Sequence, residues 1–103
     1  GVSLAQTARQ LRALIELAQS HSRHVALIAT PAPDAMRAAA GRLKDAPVYA
    51  EVAQSTGTLL LPDIYAQVLS DRALRSDPIH ANAAGYARMA QLIAKELKDA
   101  GWH

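Results

Sequence analysis

Val25-Ala26-Leu27-Ile28-Ala29 runs straight into Thr30-Pro31-Ala32-Pro33-Asp34, and the join between these two stretches decides the fold. A continuous apolar run with no polar alternation suits a strand covered on both faces, the situation inside a parallel sheet. The two prolines that follow lack backbone donors, so the ladder stops and a loop begins. Open α/β sheets bind their ligands at such loops, outside the carboxyl ends of parallel strands. Further on, Thr58-Leu59-Leu60-Leu61 repeats the pattern and Pro62 stops it.

Helical signals surround both strands. Between them, Asp34 is placed to cap a helix over about 35–44, and Pro47 suits the first turn of another over about 47–56, closed by Gly57. Strand, helix and strand in that order make a right-handed βαβ unit. Upstream, the spacing predicts a helix over 3–20: Ser3 at the N-cap with Gln6 at capping-box distance, then Leu4, Ala8, Leu11, Ile15 and Ala18 at helical period, widened by Leu14 and Leu17. Downstream come a short helix over 63–70, a polar loop over 71–81 and a last helix over 82–100. That last helix has Asn82 as N-cap, an apolar stripe of Tyr86, Met89, Ala90, Ile93, Ala94 and Leu97, and Gly101 at the left-handed C′ position. Lys95 and Lys98 suit its negative end. The expected class is therefore α/β, with two parallel strands and flanking helices. Two strands alone leave an open edge with unpaired backbone groups, so residues 1–103 read as a single partial domain, the second half of a doubly wound sheet.

Composition narrows the function classes. The chain has 103 residues, half of them apolar, which suits one domain. There is no Phe, and Trp102 is the lone Trp; Ala-rich helices packed closely on short aliphatic strands fit that. The net charge of +2 comes from scattered Lys and Arg with no basic run between aromatics, so no nucleic-acid partner is expected. The absence of Cys excludes disulfides, thiolate metal sites and a Cys nucleophile. No apolar run approaches the ~20 residues of a membrane span. No signal-peptide pattern opens the chain, but an exported precursor loses its leader, so cytoplasmic, periplasmic and secreted locations all stay open.

Chemistry concentrates in Ser76-Asp77-Pro78-Ile79-His80-Ala81-Asn82-Ala83-Ala84-Gly85-Tyr86. An Asp and a His three residues apart, in a Pro-containing turn against a helix start, make a ready pair. The carboxylate accepts from one imidazole nitrogen, which fixes the tautomer and leaves the other nitrogen to take a proton from a nucleophile. The same residues also read as a loop hydrogen bond without chemistry. Ser3, Ser20, Ser22, Ser55, Ser70 and Ser76 each have a capping, helix-end or loop role that fits better than that of a nucleophile, and none stands in a Gly-x-Ser-x-Gly or Gly-Asp-Ser turn. His21 and His24 have a metal-like spacing but straddle a helix end, where cations cap favourably. Zinc wants three or four converging ligands, and His80, Asp77 and Asp71 could join His21 and His24 only through an unusual loop. No metal and no cofactor are expected.

Asp77-Pro78-Ile79-His80 with Asn82 and Gly85-Tyr86 resembles the last conserved block of the GDSL/SGNH family of serine esterases and lipases. The upstream order, a buried strand ending in a Pro-rich loop, a helix, then an apolar strand ending Pro62-Asp63, is similar to that family's arrangement, so the likeness extends over nearly the whole chain. The resemblance implies a flavodoxin-like three-layer α/β/α sandwich that hydrolyses carboxylic esters or thioesters. It gives Asp77 the orienting role and His80 that of general base and acid, with Pro78 and Ile79 as substrate contacts; Ile79 reads equally as core packing. The family's Gly-Asp-Ser and Gly-x-Asn-Asp blocks do not occur here, and Ala81 stands where the family often has Pro. The expectation is thus a C-terminal portion of such a hydrolase, inactive alone, whose partners are an acyl ester or thioester substrate and either the missing half of the domain or a second copy. The alternative is a non-catalytic assembly module that pairs through its open strand edge.

Overall fold

The computed structural model describes residues 3–32, 34–77 and 79–102. Helix α1 spans Leu4–Gln19, with the Ser3 hydroxyl accepting from the Gln6 amide at 3.1 Å. Strand β1 is Ala26–Ile28, helix α2 is Ala35–Ala39, helix α3 is Pro47–Thr56, strand β2 is Leu59–Leu61 and helix α4 is Ile64–Ser70. A 3-10 turn over Arg72–Leu74 leads into β3, Arg75–Asp77, and β4, His80–Ala81; helix α5, Ala83–Asp99, follows.

Strands β1 and β2 are parallel, with Ala26 opposite Leu59, Leu27 opposite Leu60 and Ile28 opposite Leu61. Side chains alternate across a strand, and the core divides accordingly. Leu27 and Leu60 face one cluster with Ile15, Val52 and Ala53 of α1 and α3. Ala26, Ile28, Leu59 and Leu61 face the other, with Ile64, Val68 and Leu69 of α4, Ala81, and Met89 of α5. Helices therefore cover both faces of the pair, as the unbroken apolar runs require. Among these strand residues Leu61 is the most deeply buried and Leu27 follows at 9% exposure, while the rest are half-buried. Completely buried Val52 and Val68 each contribute on the order of 1.5–3 kcal/mol by leaving water.

Four expectations need correction. Helix α2 is half the expected length: Gly41 adopts φ 69°, and residues beyond it turn back along the end of β1. There the Ala46 amide donates to the Thr30 carbonyl at 2.9 Å, and Pro31 bridges antiparallel to Asp45. The 71–81 stretch is not a plain loop, since it holds the 3-10 turn and the β3–β4 pair. On α1, Leu14 and Leu17 are exposed rather than core, because only the Ala8–Leu11–Ile15 face meets α3 and the sheet. On α5, the inward face runs through Gly85, Met89, Leu92, Ile93 and Leu97, which leaves Tyr86 half exposed and Ala90 and Ala94 outside.

Gly85 sets that rotation. A Cβ at this position would run into the Leu74 carbonyl oxygen and crowd the Ala81 methyl, so the first turn of α5 sits directly on the 3-10 turn. Asn82 caps the helix, its side chain accepting from the Gly85 amide at 2.9 Å. Gly101 takes φ 84° at the far end, as expected.

Candidate active site

The hairpin that carries Asp77 and His80 is built from its base. The Asp71 carboxylate accepts from the Ala73 amide at 2.9 Å and opens the 3-10 turn. The Arg75 guanidinium donates to the Leu69 carbonyl at 2.8 Å, which ties the start of β3 to the end of α4. Strand β4 then returns antiparallel, Arg75 standing opposite Ala81 and Asp77 opposite His80, with a shift in register between Arg75 and Asp77. A regular ladder would put Ser76 opposite His80. The extra residue makes a bulge, and the bulge brings Asp77 to the place directly across the strand, where side chains share a face and touch.

Alternation sets which way the pair points. Ala81 is buried in the cluster between α4 and α5. Its neighbour His80 consequently faces out, with 59% of its side chain exposed against 47% for Asp77. The imidazole Nδ1 lies 3.0 and 2.9 Å from the two carboxylate oxygens. The Ile79 amide also donates to Asp77 Oδ1, at 2.8 Å, and closes the turn. That amide, and then the His80 ring, hold the Asp77 carboxyl below the ordinary value of 3.8, so the group is an anion at neutral pH. An ionised carboxylate only accepts, so a neutral His80 bonded to it carries its proton on Nδ1 and leaves Nε2 as a bare acceptor. Such an exposed pair adds little to stability; the backbone, not the pair, holds the geometry.

None of the six serines bonds to Nε2. Ser3 and Ser20 serve the ends of α1, Ser22 the His24 backbone and Ser55 the Val52 carbonyl; Ser70 accepts from the Leu43 amide and Ser76 donates to the His80 carbonyl. Ile79 is 62% exposed, which removes core packing as its explanation. Pro78 lies outside the described residues. His24 does not cap α1 as expected: the Ser20 hydroxyl takes the Leu17 carbonyl at 2.6 Å, and the His24 ring stacks on Trp102 with centroids 4.9 Å apart. Among the described residues no three His, Cys, Asp or Glu converge as metal ligands, and no helix is long and apolar enough to cross a membrane. An open groove between α2 and α4, lined by Gly41, Leu43, Gln67 and Arg72 among others, does not include Asp77 or His80.

No family model, curated protein or solved structure matches this chain.

Proposed function

We propose that this chain is the C-terminal portion of a serine-dependent hydrolase of carboxylic esters or thioesters, of the GDSL/SGNH type, and contributes the Asp–His half of its triad. On this reading the parallel pair with helices on both faces belongs to a flavodoxin-like three-layer sandwich. The observation that carries the proposal is the contact of Asp77 with His80 Nδ1, on an exposed hairpin, with no hydrogen bond to Nε2 among the described residues. A serine supplied by other sequence would attack the acyl carbonyl. His80 Nε2 would take its proton and pass it to the leaving alkoxide or thiolate, while Asp77 holds the ring and stabilises its charged form. Ile79 and Pro78 would touch the substrate beside the base.

The nucleophile and the oxyanion donors are both required, and loss of one donor alone costs ~10²–10³ in rate. The isolated chain is therefore expected to hydrolyse p-nitrophenyl acetate no faster than buffer. A longer protein that joins this chain to the nucleophile and oxyanion donors is expected to turn it over, with activity abolished by His80→Ala. Turnover by the isolated chain that depends on His80, or turnover by the longer protein that survives His80→Ala, contradicts the proposal.

One observation favours a second reading, that of an assembly module. Among the described residues β1 and β2 pair only with each other, so each offers an unpaired edge of the kind that recruits another chain. Size-exclusion chromatography tests this second reading: a dimer or larger species supports assembly, and a monomer of 11.0 kDa counts against it.

A further inference from the structure

We infer that Asn82 is the positioning residue of the Asp77–His80 pair, and that its role as helix cap is only half of its work. The inference rests on the hydrolase reading above. The Asn82 Oδ1 caps α5 through the Gly85 amide at 2.9 Å. Its Nδ2 points the other way and donates to the Ala73 carbonyl at 3.0 Å and the Arg75 carbonyl at 3.4 Å. Its backbone amide donates to the Leu74 carbonyl at 3.0 Å. One residue thus takes three successive carbonyls of the chain entering the hairpin. The orientation of the amide is fixed by chemistry, since the Gly85 group is a donor and the Ala73 and Arg75 groups are acceptors.

The register makes this grip consequential. Arg75 and Ala81 face each other at the base of the hairpin, and Asn82 directly follows Ala81. Its amide therefore clasps the two strands where they part, immediately below the bulge that puts Asp77 opposite His80. If the base slips by one residue, Ser76 takes the place of Asp77 and the carboxylate loses Nδ1. Ser and Asp cap helices about as well as Asn does, but only Asn carries acceptor and donors in one short planar group. The donor half is what this hairpin uses.

Two substitutions separate the cap from the clasp. Asn82→Asp keeps the acceptor for Gly85 and suits the positive helix end, while it turns an anionic oxygen toward two carbonyls. Asn82→Ser keeps a cap without donors that reach Ala73 and Arg75, and serves if the aspartate variant does not fold. The readout is the His80 tautomer at about pH 9, where histidine is ordinarily neutral, from long-range ¹H–¹⁵N NMR of the 103-residue chain, with helix content followed by circular dichroism. The expected result is wild-type helix content and loss of the Nδ1–H form as the dominant tautomer of His80. A variant that keeps the Nδ1–H tautomer overturns the role of Asn82. Absence of that tautomer already in the wild type instead overturns the catalytic reading, so the two failures are distinguishable.

Discussion

Two exposed histidines in this molecule follow a polar residue at the same spacing, and they meet different fates. His80 stands three residues after Asp77, and His24 three after His21. Each sits where a strand and a helix meet. His80 presents an edge, its Nδ1 against a carboxylate at 2.9 Å, on a backbone pinned by Asn82, Arg75 and the close seat of Gly85. His24 presents a face, stacked on Trp102 at an interplanar angle of 23°, and its amide is held by the neutral Ser22 hydroxyl at 3.1 Å. Spacing is shared, so spacing does not decide the chemistry. What decides it is which part of the ring the surrounding backbone brings into contact, and with what.

The largest effect expected to sharpen this contrast is on catalysis. In a protein that includes the nucleophile, Asp77→Asn should reduce turnover about 10⁴-fold, as the same change does in serine-hydrolase triads by favouring the wrong tautomer. His24→Ala should leave turnover unchanged. Equal losses in an ester-hydrolysis assay would erase the distinction between the two sites.

Next is Gly85→Ala. The added methyl must displace the Leu74 carbonyl and crowds the Ala81 methyl, and overpacking of this kind outweighs the gain in helix propensity, for a net loss of about 2 kcal/mol. Urea unfolding gives the number. NMR should show His80 shifting while the His24–Trp102 stack stays in place; a variant as stable as the wild type breaks the account of how the hairpin is seated.

Trp102→Ala should remove the stack on His24, worth about 1 kcal/mol beyond the area that the half-buried indole covers. The ring-current shifts of His24 should vanish and the His80 resonances should not move. Movement of His80 would mean that the two regions are coupled, contrary to their assignment as separate devices.

The smallest effect is with acid. The Asp77 carboxyl is held below 3.8 by the Ile79 amide and by His80. A folded-state value below the unfolded one gives stabilisation that is fully present above 3.8 and lost as the pH falls through the lower folded value. The Ile79 amide resonance should therefore titrate below pH 3.8, while the His24 amide, held by a hydroxyl, should not respond over that range. A flat Ile79 response would remove the carboxylate from the turn.

Much of the frame was legible because it rests on local chemistry. Ser3 at the start of α1, Pro47 and Gly57 around α3, Asn82 and Gly101 around α5 each fix a backbone group within a few residues, and two unbroken aliphatic runs mark strands covered on both sides. The Asp77–His80 contact was legible for the same reason. Gly41 was visible too, and read correctly it ends α2. The sequence did not show which side of a helix faces inward: Tyr86 and Leu92 exchange places because Gly85 must lie against Leu74, a contact made across the fold. Nor did it show the bulge at Ser76, because register depends on both strands and the hairpin is too short for alternation to reveal it.

One carboxylate, that of Asp77, clamps one ring nitrogen of His80. Long-range ¹H–¹⁵N NMR of His80 at about pH 9 tests it on the chain itself. The expected result is a proton on Nδ1 and a bare Nε2, converting to the opposite tautomer in Asp77→Ala. A wild-type His80 that carries its proton on Nε2, as an unconstrained histidine in water does, would contradict it.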